Sequence, residues 1–225
     1  CIRDRNEKRA AAGLTRQNWK SAVLIVLAFV GIYIVRTVVS VAVQGVSDGS
    51  GMQYVKEWAA MFKNPMMWLN IAALPINYFF VFIAFFGEEY GWRYYLQPVL
   101  QKRFGLRAGV IILGVVWGLW HIPDDLFYYT QTSGIQMIFA QQITCISLGI
   151  FFAYAYMKTQ NIWVPVCLHY LNNNLIPIIS GTFSADVLEN QTVSWKDLPV
   201  ALVLNGLCFG FFLLADVFKK KEVQE

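Results

Sequence analysis

Long apolar stretches constrain the fold of this chain more than any other feature of its sequence. A helix needs about 20 apolar residues to cross a bilayer. Six stretches come close to that length or exceed it, at residues 21–43, 66–97, 108–127, 135–157, 162–179 and 198–218. The third and the fifth are the weakest candidates, because polar residues interrupt them. The pattern predicts an all-α fold, a polytopic transmembrane helical bundle with about six spans.

The composition agrees with a chain that lies in lipid. Hydrophobic residues make up 57% of the sequence and charged residues 14%, whereas soluble domains carry about 25% charged residues. A net charge of +4 is too small to indicate a nucleic acid partner, so the lipid bilayer is the expected surroundings. We therefore expect an integral membrane protein in the plasma membrane of a bacterium.

The distribution of Lys and Arg predicts which side of the membrane each loop occupies. If the N-terminus is cytoplasmic and six spans alternate, fourteen of the 18 basic residues fall on the inner side. Three fall on the outer side, namely Lys56, Lys63 and Lys196. Because cytoplasmic loops carry such an excess, both termini are predicted to be cytoplasmic.

This topology also sets the predicted domain boundaries. A basic cytoplasmic segment covers residues 1–20, a membrane domain covers 21–218, and a basic cytoplasmic tail covers 219–225. The remaining basic residue, Arg36, lies within the first span. Its long side chain is expected to extend outward to the membrane interface.

Charged residues appear in the second apolar stretch, where charge is expensive. Glu88, Glu89 and Arg93 follow residues 77–86, a run without any charge. Glu89 and Arg93 are four residues apart, so on a helix they share a face and can pair. Glu88 is rotated by about 100° from Glu89 and is free to point elsewhere. We therefore expect Glu89 to be an ionised structural anchor and Glu88, which lacks a partner, to be the better base.

The two histidines of the chain both lie in apolar stretches. His121 follows Trp117 by four residues, and His169 precedes Asn173 by four, so each pair shares one helix face. Ionisable groups at membrane depth usually face a cavity or each other. The sequence thus predicts three helices that each present a short polar cluster to a common site.

Depth estimates place these clusters in one band. Pro98 is expected to end the second helix. At about 1.5 Å per residue from the inner helix ends, Glu88, His121 and His169 lie roughly 15, 20 and 12 Å deep. The similar depths predict one active site in a cytoplasm-facing cavity within the membrane.

The residue types at this predicted site favour hydrolysis. A glutamate in a cavity of low dielectric constant can act as a general base on water, a histidine can assist, and an asparagine amide can donate to a developing oxyanion. Histidine and carboxylate can also bind zinc, which makes Glu88, His121 and His169 the candidate ligands. A metal-free mechanism can use the same groups, so Zn²⁺ or no cofactor both stay open.

Other polar residues receive structural interpretations. Asn172 and Asn174 are expected to join helices through side-chain hydrogen bonds. Asp124 and Asp125 are expected at the outer end of the third span.

At these positions the sequence resembles the CPBP family of intramembrane proteases. That family includes CAAX prenyl proteases, bacteriocin-processing proteins and abortive-infection proteins. Its first motif, E-E-x-x-x-R, is matched by Glu88, Glu89 and Arg93. Its second, F-x-x-x-H, is met with Trp117 in place of Phe, followed by His121, and its third, H-x-x-x-N, is met by His169 and Asn173. The similarity covers residues 87–174.

The resemblance implies a role for each of these residues. Glu88 would activate water together with His121, His169 and Asn173 would stabilise the oxyanion, and Glu89 with Arg93 would hold the site together. The expected activity is that of an endopeptidase acting on a membrane-associated protein or peptide, with a prenylated substrate implied by the family alone. The alternative is a non-catalytic immunity or scaffold protein of the same family. A transporter is less favoured, because no internal repeat is evident.

Overall fold

A computed structural model describes residues 12–15, 17–47, 49, 52–180 and 185–219. These residues form helices and connections without any β-strand. The helices are α1 (Trp19–Ser47), α2 (Met52–Met61), α3 (Pro65–Glu89), a π-helix called π1 (Tyr90–Leu96), α4 (Gln97–Phe104), α5 (Leu106–Trp120), α6 (Ile122–Phe127), α7 (Gly134–Thr159), α8 (Trp163–Ser180), α9 (Ala185–Glu189) and α10 (Asp197–Cys208). Short 3₁₀ turns follow at Gly210–Leu214 and Asp216–Phe218. Most of the predicted basic segment and tail lies outside the described residues.

The protein is a polytopic membrane protein, as the apolar stretches predicted. Within the described chain, four helical segments are long and apolar enough to cross a bilayer: Trp19–Val43, Pro65–Phe104, Leu106–Phe127 and Gly134–Thr159. About six spans were predicted, and these four correspond to the first four predicted stretches. The fifth stretch forms α8, in which His169 and three asparagines lower the mean hydropathy. The sixth breaks after Cys208 into 3₁₀ turns.

The second span differs from its predicted form. Pro98 does not end the helix, which continues through π1 and α4 to Phe104. In π1 each N–H reaches a carbonyl five residues back, as the bond from Gln97 N–H to Trp92 O shows. This wider turn accommodates Pro98, which has no N–H and whose ring would clash with the carbonyl of Tyr94 in a regular α-helix. The helix ends instead at Gly105, whose φ of 88° favours glycine.

The bundle has two ends, which we name by a residue in each. The Gly105 end contains the turn between α4 and α5, the turn between α7 and α8, and the described N-terminal residues. A hydrogen bond from Thr15 Oγ1 to Gln160 O joins the N-terminal residues to the turn between α7 and α8. The Gln191 end contains the connections after α6 and α9, joined by the bond from Gln191 N to Tyr129 O.

Aromatic packing in the middle of the bundle fixes the relative positions of the helices. Phe29 of α1 stacks on Phe151 of α7 at 5.6 Å and contacts Phe209, which follows α10, at 5.9 Å. Close approach of α5 and α7 depends on Gly114, where an added Cβ would lie 2.6 Å from Ile146 Cα. This contact sets the position of α5, and thereby of His121, against α7.

Two basic residues lie differently from their predicted positions. Arg36 does not extend to the interface; its Nε donates a 2.9 Å hydrogen bond to Oδ1 of the buried Asn205 of α10. Arg93, which was counted among the inner-side charges, is 0% exposed inside the bundle. In each case a polar partner within the bundle stabilises the charged side chain, which therefore does not have to extend to water.

Candidate active site

A buried ion pair forms the base of the site. Arg93 Nε donates to Glu89 Oε2 at 2.9 Å, and both side chains are 0% exposed. The predicted pairing of these residues is therefore confirmed. The other carboxylate oxygen, Glu89 Oε1, lies 2.9 Å from Nδ1 of His169 on α8. Glu89 thus links its own helix to the third motif.

Aromatic rings surround the guanidinium of Arg93. Its Cζ lies 5.3 Å from the ring centre of Trp117 and 5.5 Å from that of Phe152. Its Nη1 and Nη2 atoms are buried and have no hydrogen-bond partner among the described residues. Cation–π attraction and the charge of Glu89 are therefore the interactions that hold this cation in the membrane domain.

His121, His169 and Asn173 line one cavity of about 190 Å³. Trp117, Cys145 and Leu148 form part of its wall, and Tyr129, Leu188 and Gln191 extend it toward one end of the bundle. Burial raises the pKa of Tyr129 to about 12, so its hydroxyl keeps its proton and can donate at neutral pH. The structure therefore brings together residues from the second and third motifs in one partly polar cavity, at which Asn173 is exposed.

The local structure around His121 orients its ring. The residue follows α5, and its Nδ1 lies 2.9 Å from the carbonyl oxygen of Trp117. Because a carbonyl only accepts, Nδ1 carries the proton and Nε2 is left as an acceptor when the ring is neutral. The thiol of Cys145 lies 3.8 Å from the same Nδ1. The Trp117 ring contacts His121 at 5.8 Å, as the spacing predicted.

His169 is held from two sides. Its Nδ1 donates to Glu89 Oε1, and its ring meets those of Phe85 and Trp117 edge-on at 5.2 and 5.4 Å. A carboxylate that accepts from Nδ1 fixes the ring and leaves Nε2 for chemistry. The arrangement suits either proton transfer or, in the protonated ring, stabilisation of negative charge.

The asparagines of α8 divide into two groups. Asn174 Oδ1 accepts from Asn77 of α3 at 3.2 Å, and Asn172 Oδ1 accepts from Tyr33 of α1 at 2.6 Å. The prediction that Asn172 and Asn174 join helices is therefore confirmed. Asn173 faces the cavity, and Pro177, four residues later, cannot donate to its backbone carbonyl.

Glu88 lies beside the cavity instead of within it. It lines a separate groove of about 390 Å³ with Trp92, Tyr95 and Trp120 among its apolar neighbours. Its side chain is partly buried and makes no hydrogen bond to any described residue. Trp120 lines this groove and the next residue, His121, lines the cavity, so the end of α5 borders both spaces.

The sequence did not indicate the environment of Asp125. The residue was expected at an outer helix end, but it is 0% exposed, and both carboxylate oxygens lack a hydrogen-bond partner in the described chain. Its neighbour Asp124 is exposed, as expected. The backbone N–H of Asp125 bonds to the carbonyl of His121. The spacing of four residues between Asp125 and His121 was the one sequence feature that linked Asp125 to the site.

The candidate zinc ligands do not converge. In the described part of the chain, no group of three His, Cys, Asp or Glu side chains could hold an ion. His121 and His169 each engage Nδ1 with a protein oxygen, and Glu88 faces the neighbouring groove. The set Glu88, His121 and His169 therefore does not fit a zinc site in this arrangement, and we derive no step through a metal.

The cavity extends toward the Gln191 end, through Tyr129, Leu188 and Gln191. The described loop charges of the predicted inner side, such as Lys102, Arg107 and Lys158, belong to turns at the opposite, Gly105 end. A cytoplasm-facing cavity and cytoplasmic basic loops therefore cannot both be right. The depth of Glu88 was counted from Pro98, but the second helix continues to Phe104, and His121 lies at the end of α5 that is remote from Gly105.

Comparison with known proteins shows a family that part of the chain resembles. Residues 68–175, which contain all six predicted site residues, match the family model described as type II CAAX prenyl endopeptidase Rce1-like. This part of the chain, just under half of its length, is therefore similar to the Rce1-like family. The resemblance to CPBP proteases that the three motifs carried is thereby confirmed.

The chain also resembles part of a curated relative. It is 27% identical over 125 residues to CAAX prenyl protease 2 of Methanococcus maripaludis, an alignment that covers 52% of this chain and 45% of that protein. The chain therefore spans about half the length of the curated relative that it matches. No solved structure matches it.

Proposed function

We propose that this Rce1-like chain is an intramembrane endopeptidase that hydrolyses a peptide bond in a membrane-associated protein or peptide. The observation that carries the proposal is the cavity in which His121, His169 and Asn173 meet. His169 is fixed there by the buried Glu89–Arg93 pair. A polar space with preset donors and acceptors is what the hydrolysis of an amide requires.

Water is activated at the boundary between groove and cavity. Glu88, which has no competing hydrogen bond, takes a proton from water on the groove side of Trp120. His121, on the cavity side, assists by accepting a hydrogen bond from the same water. The water oxygen then attacks the scissile carbonyl carbon, and the resulting oxyanion accepts hydrogen bonds from His169 and Asn173. The proton on the glutamate passes to the leaving amine as the C–N bond breaks.

A second assignment of the base is favoured by one distance. Glu89 Oε1 lies 2.9 Å from His169 Nδ1, the arrangement of a carboxylate that orients a histidine base. In that mechanism the neutral His169 ring takes the proton from water through Nε2, and Glu88 is dispensable. Substitution of Glu88 separates the two assignments, as discussed below.

The proposed substrate carries a lipid. Both the family description and the name of the curated relative refer to CAAX prenyl proteases, and the Glu88 groove is an open, largely apolar space of about 390 Å³. An isoprenoid chain in this groove would present the adjoining peptide to the cavity. The test is hydrolysis by the purified protein in proteoliposomes, with cleavage of a farnesylated CAAX-type peptide expected and none of the same peptide without its lipid.

Metal dependence is tested by exhaustive chelation. Because the described residues show no converging set of ligands, we expect hydrolysis to survive metal-free purification and treatment with a chelator. The rate is measured before chelation, after it, and after addition of Zn²⁺. Loss of activity on chelation with recovery on addition of Zn²⁺ would show that Glu88, His121 and His169 rearrange around an ion.

The charge distribution favours a cytoplasmic Gly105 end, and we propose that the cavity is entered from the opposite face. Single cysteines at Lys102 and Glu189, exposed at the two ends, test this with a membrane-impermeant maleimide. We expect Glu189→Cys to react in intact cells above the level of the parent chain, and Lys102→Cys to react only after permeabilisation. The reverse pattern would restore the cytoplasm-facing cavity and overturn the orientation inferred from charge.

A further inference from the structure

The amide of Asn173 has one defined orientation in the cavity. Its Oδ1 accepts a 2.9 Å hydrogen bond from Nδ2 of Asn172. The oxygen and the nitrogen lie on opposite branches of an amide, so this bond leaves Nδ2 of Asn173 as the group available to a ligand. An N–H donor is what a developing oxyanion needs, and a flipped amide would present a repelling oxygen instead.

The orientation of Asn172 is itself fixed by Tyr33 of α1. The tyrosine hydroxyl donates a 2.6 Å hydrogen bond to Asn172 Oδ1, which leaves Nδ2 of Asn172 to donate to Asn173. Tyr33 is 5% exposed, and its ring packs on Phe29 at 4.9 Å and on Phe209 at 5.0 Å. A rigid aromatic anchor therefore stands at the start of a directed chain of hydrogen bonds that ends at the cavity.

We infer that Tyr33 and Asn172 are positioning residues that set the Asn173 amide for oxyanion stabilisation. The inference rests on the proposed function, because it assigns the use of the orientation to that reaction. Tyr33 lies outside the range that matches the family model. The first span therefore contributes to the site through a contact between residues 139 positions apart in the chain.

Replacement of Asn172 by aspartate reverses the hydrogen bond. A carboxylate only accepts, so Asn173 must turn its Nδ2 away from the cavity. For the farnesylated peptide we expect both Asn172→Asp and Asn173→Ala to lower kcat about a hundredfold, with little change in KM. Tyr33→Phe removes only the hydroxyl and is expected to lower kcat several-fold. In the Asn173→Ala background neither change should have a further effect, because the group that they orient is absent.

Matched controls lie on α8 within two residues of Asn172. Asn174→Asp and Tyr170→Phe alter an equivalent asparagine and tyrosine that bond between α3 and α8. Both are expected to leave kcat within about twofold of the parent value. Full kcat in Asn172→Asp, or equal losses in Asn174→Asp and Asn172→Asp, would overturn the positioning role while leaving the peptidase assignment intact.

A spectroscopic readout makes the inference independent of the substrate. With selective ¹⁵N labelling of asparagine, the side-chain amide signal of Asn173 is identified by its loss in Asn173→Ala. We expect this signal to shift in Asn172→Asp and in Tyr33→Phe and to stay in place in Tyr170→Phe. An unshifted signal in Asn172→Asp would overturn the inference even if no peptide is cleaved, whereas a shifted signal without cleavage by the parent protein would contradict the proposed function alone.

Discussion

Replacement of Glu88 by glutamine is expected to lower kcat for peptide hydrolysis by at least about a hundredfold while abundance and unfolding temperature stay unchanged. Glutamine keeps the shape of the side chain but cannot accept a proton from water. Stability should not change, because Glu88 makes no hydrogen bond to any described residue. The measurement is the rate per folded molecule in detergent or proteoliposomes.

The control for this prediction is Glu57→Gln, which changes an exposed glutamate of α2 and should leave the rate unchanged. Full activity of Glu88→Gln would remove Glu88 as the base. The Glu89–His169 dyad, with its 2.9 Å contact, would then be the better assignment.

Replacement of Glu89 by glutamine is expected to destabilise the protein by about 3–5 kcal/mol, the usual cost of removing one partner of a buried ion pair. Arg93 would keep its charge with no counter-ion, and its Nη1 and Nη2 atoms already lack partners in the described chain. His169 would lose the acceptor of its Nδ1 proton, so the remaining folded molecules should also hydrolyse peptide more slowly. Unfolding temperature and activity per folded molecule are measured together.

A double variant separates the ion pair from other effects at Glu89. Glu89→Gln with Arg93→Met removes both charges, and replacement of a buried pair by uncharged groups is often close to neutral. We expect the double variant to unfold at a higher temperature than Glu89→Gln alone. If it is instead less stable by the sum of the single losses, Arg93 is stabilised by Trp117 and Phe152 and not by Glu89.

Contacts within one helix could be predicted from the sequence. The Glu89–Arg93 pair and the Trp117–His121 contact follow from a spacing of four residues, because helix geometry alone places such side chains together. The partner of His169 could not be predicted. Its contact with Glu89 joins residues 80 positions apart, and the rotation and height of one helix against another depend on packing such as that at Gly114.

The errors at the ends of the elements have a common origin. Pro98 was predicted to end the second helix, but π1 accommodates it, so the distance of Glu88 from the helix end was underestimated. Glu88 was expected to meet the histidines, yet it faces a groove on the other side of Trp120, because a rotation of about 100° per residue does not say which neighbouring helix fills each direction. The burial of Asp125 and Tyr33 depends on tertiary packing and could not be predicted from the sequence.

The central claim, that the chain cleaves peptide bonds at this site, is tested most directly by mass spectrometry of membrane peptides. Cells that lack the protein are compared with cells that produce the parent chain, Glu88→Gln, His121→Ala or Asn173→Ala at equal abundance. The account predicts new peptide termini with the parent chain that are strongly reduced in all three variants. Identical termini in every sample, together with a cellular phenotype that the variants still support, would contradict it and favour a non-catalytic immunity or scaffold protein.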